Sequence, residues 1–248
     1  MDYSTRLKTI KGEIINSFFA QSSWAQYAVI DESAAIKMPG AAPLDVLCVL
    51  ACGVSTGLGA AFNRAKVRPG STAAIFGLGG VGLGALMGCV LSGAKIIYAI
   101  DILEEKLNLA GNLGATGFIN SLKESPLEAI ISATGGVDYA FECIGNTQVM
   151  EQAYECLAPN GIAVVVGGAP PSPKLSLNPL GFLTGQKTIT GCSGNGGNVD
   201  DITKYVELYL NGKLPLDKLV GHTFQLEEVN EALAALKRGE TGKCVILF

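Results

Sequence analysis

The sequence predicts an α/β protein built on a doubly wound parallel sheet, and three observations carry that expectation. From Ser71 onward, short β-rich runs alternate with single helical stretches; the β-rich runs are almost wholly apolar; and a glycine-rich turn, Gly77-Leu78-Gly79-Gly80-Val81-Gly82, joins the first strand to the first helix of the series. Strands separated by single helices require right-handed crossovers and hence a parallel sheet. Strands without polar alternation fit a sheet covered on both faces.

Taken in order, TAAIFG is the first strand, Val81 to Ser92 a helix, and KIIYAID the second strand. Leu103 to Leu113 reads as an amphipathic helix stopped by Gly114. GFIN, VDYAFECIG and GIAVVVGG are further strands, with helices at Pro126 to Ser132 and Thr147 to Leu157. The flanks differ. Ser23 to Met38 has the look of short antiparallel strands, and Pro43 to Ala65 of a helix with a Gly-rich break. Beyond Asn198 come a helix to Leu210, a strand at HTF, a helix from Leu226 to Lys237 and a terminal strand CVILF. The expected division is therefore 1–53, 54–193 and 194–248, with flanks too small to close a second core of their own.

The chain of 248 residues, 48% hydrophobic and 16% charged, is apolar enough to bury a large core and excludes a disordered chain. A net charge of −4 with no basic run argues against a nucleic-acid partner. Seven cysteines, an odd number without a CxxC pair, suit reduced thiols in a cytoplasm. No signal peptide opens the sequence, which agrees with that expectation. Pro69 to Ala94 carries no charge, and Gly80, Gly84 and Gly88 have the spacing of paired membrane helices. That stretch nevertheless starts Pro-Gly-Ser-Thr and has four glycines in six residues, so a buried strand, turn and helix is expected and no membrane partner.

The glycines carry the functional reading. In a dinucleotide fingerprint the first permits a tight turn, the second lets a pyrophosphate approach the backbone, and the third lets helix and strand pack closely; Gly77, Gly79 and Gly82 fill those places. The helix beginning near Gly80 would aim its free N–H groups and positive dipole end at phosphates. The confirming partner is an acid about 20 residues on, at the tip of the second strand, where Asp101 stands. A carboxylate there accepts both ribose hydroxyls and repels a 2′-phosphate, and Ile102 supplies no cation, so NAD is favoured over NADP. The competing reading of Asp101 is a helix N-cap.

GLGGVG, the upstream ACGVSTGLGAA and the downstream Asp101-Ile-Leu-Glu-Glu-Lys106 together resemble the zinc-containing medium-chain alcohol dehydrogenases, from about Phe18 to Phe248. FFAQSSWAQYAVI is most similar to the aryl or benzyl alcohol branch, with the class III formaldehyde-linked branch also close. The resemblance implies a Rossmann domain beside an incomplete, GroES-like β-rich catalytic domain. It implies oxidation of an alcohol, primary and of aryl or benzyl type in the branch most resembled, to an aldehyde by hydride transfer to NAD with zinc assistance.

Residue by residue, the resemblance makes Cys52 a catalytic-zinc thiolate, puts Thr56 and Val81 beside the nicotinamide and Lys106 on the ribose near Asp101, and lays Ile144 against the adenine. Val166, Gly168 and Cys192 would orient the carboxamide through their backbones. Lys243 stands where the family often has an arginine on the pyrophosphate, a point charge replacing a bidentate fork; its competing reading is a solvated surface charge. Gly168 and Ser193, both small, would leave room for an aromatic ring.

Of the family's zinc donors only Cys52 has a counterpart, so this chain alone is not expected to hold the catalytic zinc. The sole histidine, His222, matches no zinc ligand and reads as structural or surface, and Cys48 as a buried core cysteine. Residues 175–191, LSLNPLGFLTGQKTITG, correspond to the family's joint between two cofactor domains and imply a homodimer. Two alternatives stand beside the dehydrogenase reading. One is a non-catalytic NAD-binding module that assembles with an intact subunit; the other is a zinc-independent quinone or enoyl reductase, disfavoured by the thiol of ACGVSTG and by the acid at position 101.

Overall fold

The computed structural model describes residues 7–16, 23–170, 174–194, 196, 198, 200–239 and 242–248. Its centre is a six-stranded, wholly parallel sheet in the order β5-β4-β3-β6-β7-β8. The strands are β3 (Thr72–Phe76), β4 (Ile96–Asp101), β5 (Gly117–Asn120), β6 (Val137–Glu142), β7 (Leu157–Val165) and β8 (Thr188–Gly191). The chain winds outward from β3 through β4 to β5, then returns to β6 on the other side of β3. The carboxyl ends of β3 and β6 thus flank the point where the winding reverses, the place where open α/β sheets form a crevice.

Between the strands lie α3 (Gly80–Leu91), α4 (Glu104–Asn112), α5 (Pro126–Thr134) and α6 (Thr147–Glu155). Neighbouring residues of one strand feed opposite layers: Ile75 and Phe141 join one buried cluster with Leu58 and Leu86, while Phe76 and Ala140 join the other with Ala153 and Tyr154. α5 shows how local chemistry sets a boundary. Ser125 accepts from the Glu128 N–H at 3.4 Å, Pro126 occupies the first turn, and Gly135 ends the helix at φ +73°.

The strand VDYAFECIG stops at Glu142, where the chain turns into a loop, and β7 starts at Leu157, earlier than GIAVVVGG alone suggests. Asn160, at φ +64°, lets the chain bulge between the Leu157 and Ile162 pairings with β6.

The strands expected at residues 23–38 and the burial expected of Cys48 are corrected. Residues 23–38 form no ladder; they carry only a 3₁₀ turn at Glu32–Ala34, capped by the Asp31 carboxylate. Alternation is not enough to make a strand without a neighbour, and Trp24, Tyr27 and Val29 are exposed. The helix with a Gly-rich break expected over Pro43 to Ala65 is present as α1 (Leu44–Leu47), a 3₁₀ turn (Cys48–Leu50), α2 (Gly53–Gly59) and a π-helical turn (Ala60–Ala65).

The break falls at Ala51 and Cys52, just before Gly53; Cys52 has a φ of −143° and a ψ of −76°, so Cys48 and Cys52 do not share a helix face. Nor is Cys48 a buried core cysteine: it is exposed, its thiol donating to the Asp45 carbonyl at 3.2 Å, while Leu47, Val49 and Leu50 take the interior positions. A short hairpin of β1 (Leu7–Lys8) and β2 (Ile14–Ile15) lies near the start.

On the other side of the sheet domain follow α7 (Leu180–Leu183), before β8, and α8 (Asp201–Leu210), after it. A separate parallel pair, β9 (Val220–Gln225) and β10 (Lys243–Leu247), is bridged by α9 (Val229–Arg238). Leu50 from one flank and Leu214, Leu219 and Val245 from the other belong to the same buried cluster as Ile75 and Phe141. The flanks therefore pack onto the doubly wound core.

The glycine spacing that mimics a membrane motif has a different use here. A Cβ on Gly57 would strike the Val81 carbonyl, one on Gly84 the Val54 carbonyl, and one on Gly88 the Ala61 Cβ, so these glycines let α2 and its π turn lie directly on α3. Among the described residues no single helix is long and apolar enough to cross a membrane; the bent pair Leu44–Leu50 and Gly53–Ala65 meets that criterion only jointly, and most of its apolar residues, Leu50, Val54 and Leu58 among them, line the core.

Candidate coenzyme crevice

At the end of β3 the chain turns sharply through Gly77, whose φ of +87° only glycine adopts without strain, and its N–H donates to the Ile100 carbonyl at 2.8 Å. The Ile144 side chain lies over Gly77, where a Cβ would meet it at 2.5 Å. A Cβ on Gly82 would drive into the Gly77 carbonyl, so α3 can pack on the turn only if residue 82 has no side chain. Gly79 faces the other way: a Cβ there would meet nothing within 4 Å. Gly79 is also the N-cap of α3, and among the described residues no side chain caps the helix. The helix start, with its positive dipole end, is left open to an anion.

Asp101, at the tip of β4, is 9% exposed. Its Oδ2 accepts from the Leu78 N–H at 2.8 Å and its Oδ1 from the N–H groups of Ile102 and Leu103 at 2.8 and 3.2 Å. It is not the N-cap of α4, a place taken by Leu103. The carboxylate ties the glycine turn to the next strand, with the Lys106 ammonium 3.9 Å away.

Two adjoining cavities open on this turn. The larger, about 770 Å³, is lined by Gly77, Gly79, Asp101, Lys106 and Ile144 among others. The smaller, about 110 Å³, lies between the turn and the C-terminal segment and is lined by Gly79, Gly80, Lys106 and Lys243 among others. Lys243 lies against the start of α3: a Cβ on Gly80 would meet its Nζ at 2.6 Å. The larger cavity also takes in residues the sequence reading did not assign, notably Ile102, Ser121, Pro126, Gln152, Lys237 and Arg238. Ile102 had a legible signal, a large apolar residue right after the acid, and it is exposed beside the cavity. Lys237 and Arg238 had none, since only the fold brings the end of α9 to this place.

Thr56, Val166, Gly168, Cys192 and Cys52 line neither of these two cavities. Thr56 is buried in α2, and Val81 lies in the first turn of α3. Val166 donates its N–H to the Glu142 carbonyl at 2.8 Å, Cys192 donates its N–H to the Val165 carbonyl at 2.9 Å, and Gly168 packs backbone to backbone against Gly145. Val166 and Gly168 lie past the carboxyl end of β7 and Cys192 just past that of β8. Burial pushes the Cys192 and Cys143 thiols up.

The donor chemistry does not suit zinc. Cys52 is exposed, and among the described residues no group of three or more His, Cys, Asp or Glu is placed to hold a metal ion. His222 sits exposed on β9, its ring 6.4 Å from that of Phe224.

A doubly wound sheet with a glycine turn at its switch point and an acid on the adjoining strand defines a protein of Rossmann-like fold. Residues 80–211 match the family model described as zinc-binding dehydrogenase. An alcohol dehydrogenase zinc-binding domain protein from Burkholderia ambifaria superposes with a TM-score of 0.89 at 40% identity, over 96% of this chain and 65% of that one. Benzyl alcohol dehydrogenase from Acinetobacter calcoaceticus gives 0.88 at 38% identity, over 96% and 67%. An alcohol dehydrogenase from Thermus sp. ATN1 gives 0.78 at 27%, over 86% and 61%. The chain thus spans about two-thirds of the length of these structures, and it belongs to the zinc-binding dehydrogenase family.

Proposed function

We propose that this chain binds NAD(H) across the glycine turn and serves an oxidoreductase that converts an alcohol to an aldehyde. The observation that carries the reading is the open face of Gly79 at the uncapped start of α3, with Asp101 at the tip of the next strand. The backbone at Gly79 and Gly80, with Lys243, would hold the pyrophosphate, Asp101 and Lys106 the ribose, and Ile102 and Ile144 the faces of the adenine. Thr56 and Val81 would stand on the nicotinamide side, with the backbones of Val166, Gly168 and Cys192 toward the carboxamide. NAD, when bound, supplies the hydride acceptor. No step is routed through zinc, because the donors present do not form a site for it.

Similarity to a benzyl alcohol dehydrogenase supports an aryl or benzyl alcohol as substrate. A homodimer through residues 175–191 is supported by β8, which ends the sheet, and by exposed Leu180, Phe182 and Leu183 beside it. Among the described residues no disulfide joins the cysteines, which accords with the cytoplasmic setting proposed for the chain. The incomplete donor set favours a second reading, an NAD-binding module that assembles with an intact subunit; mixing the two and looking for heterodimers separates the readings.

The coenzyme reading is tested by titrating NADH and NADPH into the purified chain while following nicotinamide fluorescence. Binding of NADH at least about tenfold tighter than NADPH is expected. Absence of NADH binding at millimolar coenzyme overturns it.

A further inference from the structure

Glu142 is completely buried at the end of β6, between β3 and β7. Its Oε1 accepts three backbone N–H groups, from Ile144 at 2.9 Å, Gly145 at 2.7 Å and Asn146 at 3.3 Å. Its Oε2 is buried with no hydrogen-bond partner among the described residues. Burying a carboxylate with one oxygen unsatisfied is costly, and an apolar residue would end the strand without that cost. What the carboxylate adds is the shape of the loop. One oxygen gathers three consecutive amides at the start of α6, where the helix dipole also favours negative charge.

The rest of the loop is tied by backbone, with the Cys143 N–H donating to the Phe76 carbonyl at 2.9 Å, and by the Asn146 side chain at the start of α6. Gly145, at φ +90°, is pressed against the Gly168 backbone, and Gly167 against the Gly145 N–H, so this side of the loop is backbone on backbone. The one large side chain the loop presents is Ile144, 55% exposed, lying on Gly77 and lining the larger cavity. We propose that Glu142 is a positioning residue: through Oε1 it sets the height of Ile144 over the glycine turn and so fixes the apolar wall against which the adenine of the coenzyme rests. This inference rests on the coenzyme reading and assigns to it a residue that touches no ligand.

The test is a double-mutant cycle on the full chain with Glu142→Gln and Ile144→Ala. AMP and NADH binding are measured by calorimetry, and amide exchange is measured without ligand. Glu142→Gln, which keeps the shape but replaces a charged acceptor with a neutral one, is expected to weaken AMP and NADH about tenfold. In the Ile144→Ala background it should have no further effect. Exchange should quicken selectively at Ile144, Gly145 and Asn146, with β3 and β4 unchanged. The proposal is overturned if Glu142→Gln binds AMP as the parent does, if the two effects multiply, or if exchange rises evenly through the sheet, the mark of a merely structural role. Should Glu142→Gln not fold, Glu142→Asp, which keeps the charge and withdraws the oxygen, takes its place with the same criteria. A parent chain that binds neither NADH nor AMP overturns the coenzyme reading itself, and this inference with it.

Discussion

Two strand-to-helix corners stand side by side at the switch point and solve one problem in opposite ways. Each must deal with the unpaired N–H groups at the start of a helix. At the β6–α6 corner the protein supplies its own acceptors. Glu142 takes the amides of residues 144 to 146, and the Asn146 side chain caps α6 by accepting from Gln148 at 2.9 Å and Val149 at 3.4 Å. At the β3–α3 corner no side chain caps the helix and Gly79 faces open space. A helix start already filled has nothing to offer an anion, whereas one left open by glycine does. The difference shows why one of two neighbouring corners reads as a ligand site.

The sharpest way to break the comparison is Gly82→Val, which forces a branched side chain into the Gly77 carbonyl. The open corner should then fail as a structure, with a loss of about 3 kcal/mol or more in denaturant unfolding. Gly79→Val is the converse, because its side chain enters open space. Stability should stay within about 0.5 kcal/mol, while NADH affinity falls tenfold or more as the approach to the backbone is blocked. A Gly79 variant that still binds NADH at parental affinity would remove the distinction between the corners.

Asn146→Ala strips the cap from the filled corner. It should cost about 1 kcal/mol, a fall of roughly 2–4 °C in melting temperature, with NADH affinity changed far less than by Gly79→Val.

A third helix start sharpens the contrast at smaller scale. In the first turn of α8, buried Asp201 accepts from Lys204 at 2.7 Å and from Asn63 at 2.8 Å. Burial pushes its carboxyl up, but the hydrogen bonds from Lys204 and Asn63 and the Lys204 charge outweigh it and hold the group below the usual carboxylate range. A depressed folded pKa gives stability that is present above the unfolded value, about 3.9, and is lost as pH falls through the folded one. Asp201→Asn should therefore lower the melting temperature slightly at neutral pH, and the gap to the parent should close below about pH 4.

Much of this was legible in the chain itself. GFIN coincides with β5, TAAIF with β3, and the acid of KIIYAID falls at the tip of β4, because apolar runs bounded by glycine and polar turns leave few other local choices. Position 142 carries a signal of its own: a glutamate at the buried end of VDYAFECIG, where a charge is kept only if something holds it. The reading of 23–38 as strands failed because pairing needs a partner that local alternation does not reveal. Cys48 was misjudged because a one-turn helix followed by a 3₁₀ turn shifts which residues face inward.

The periodicity of apolar residues and the glycine spacing were enough to determine the winding of the sheet, the turn after β3 and the acid beside it, since these depend on backbone geometry and on contacts near in sequence or across adjacent strands. Only the folded chain decided that Lys237 and Arg238 join the crevice where the resemblance puts Lys243, that the Ile144 side chain packs on Gly77 itself, and that one corner is sealed while its neighbour stays open. Those are contacts between distant segments, set by how helices and returning chain pack on a finished sheet, and no local pattern encodes them.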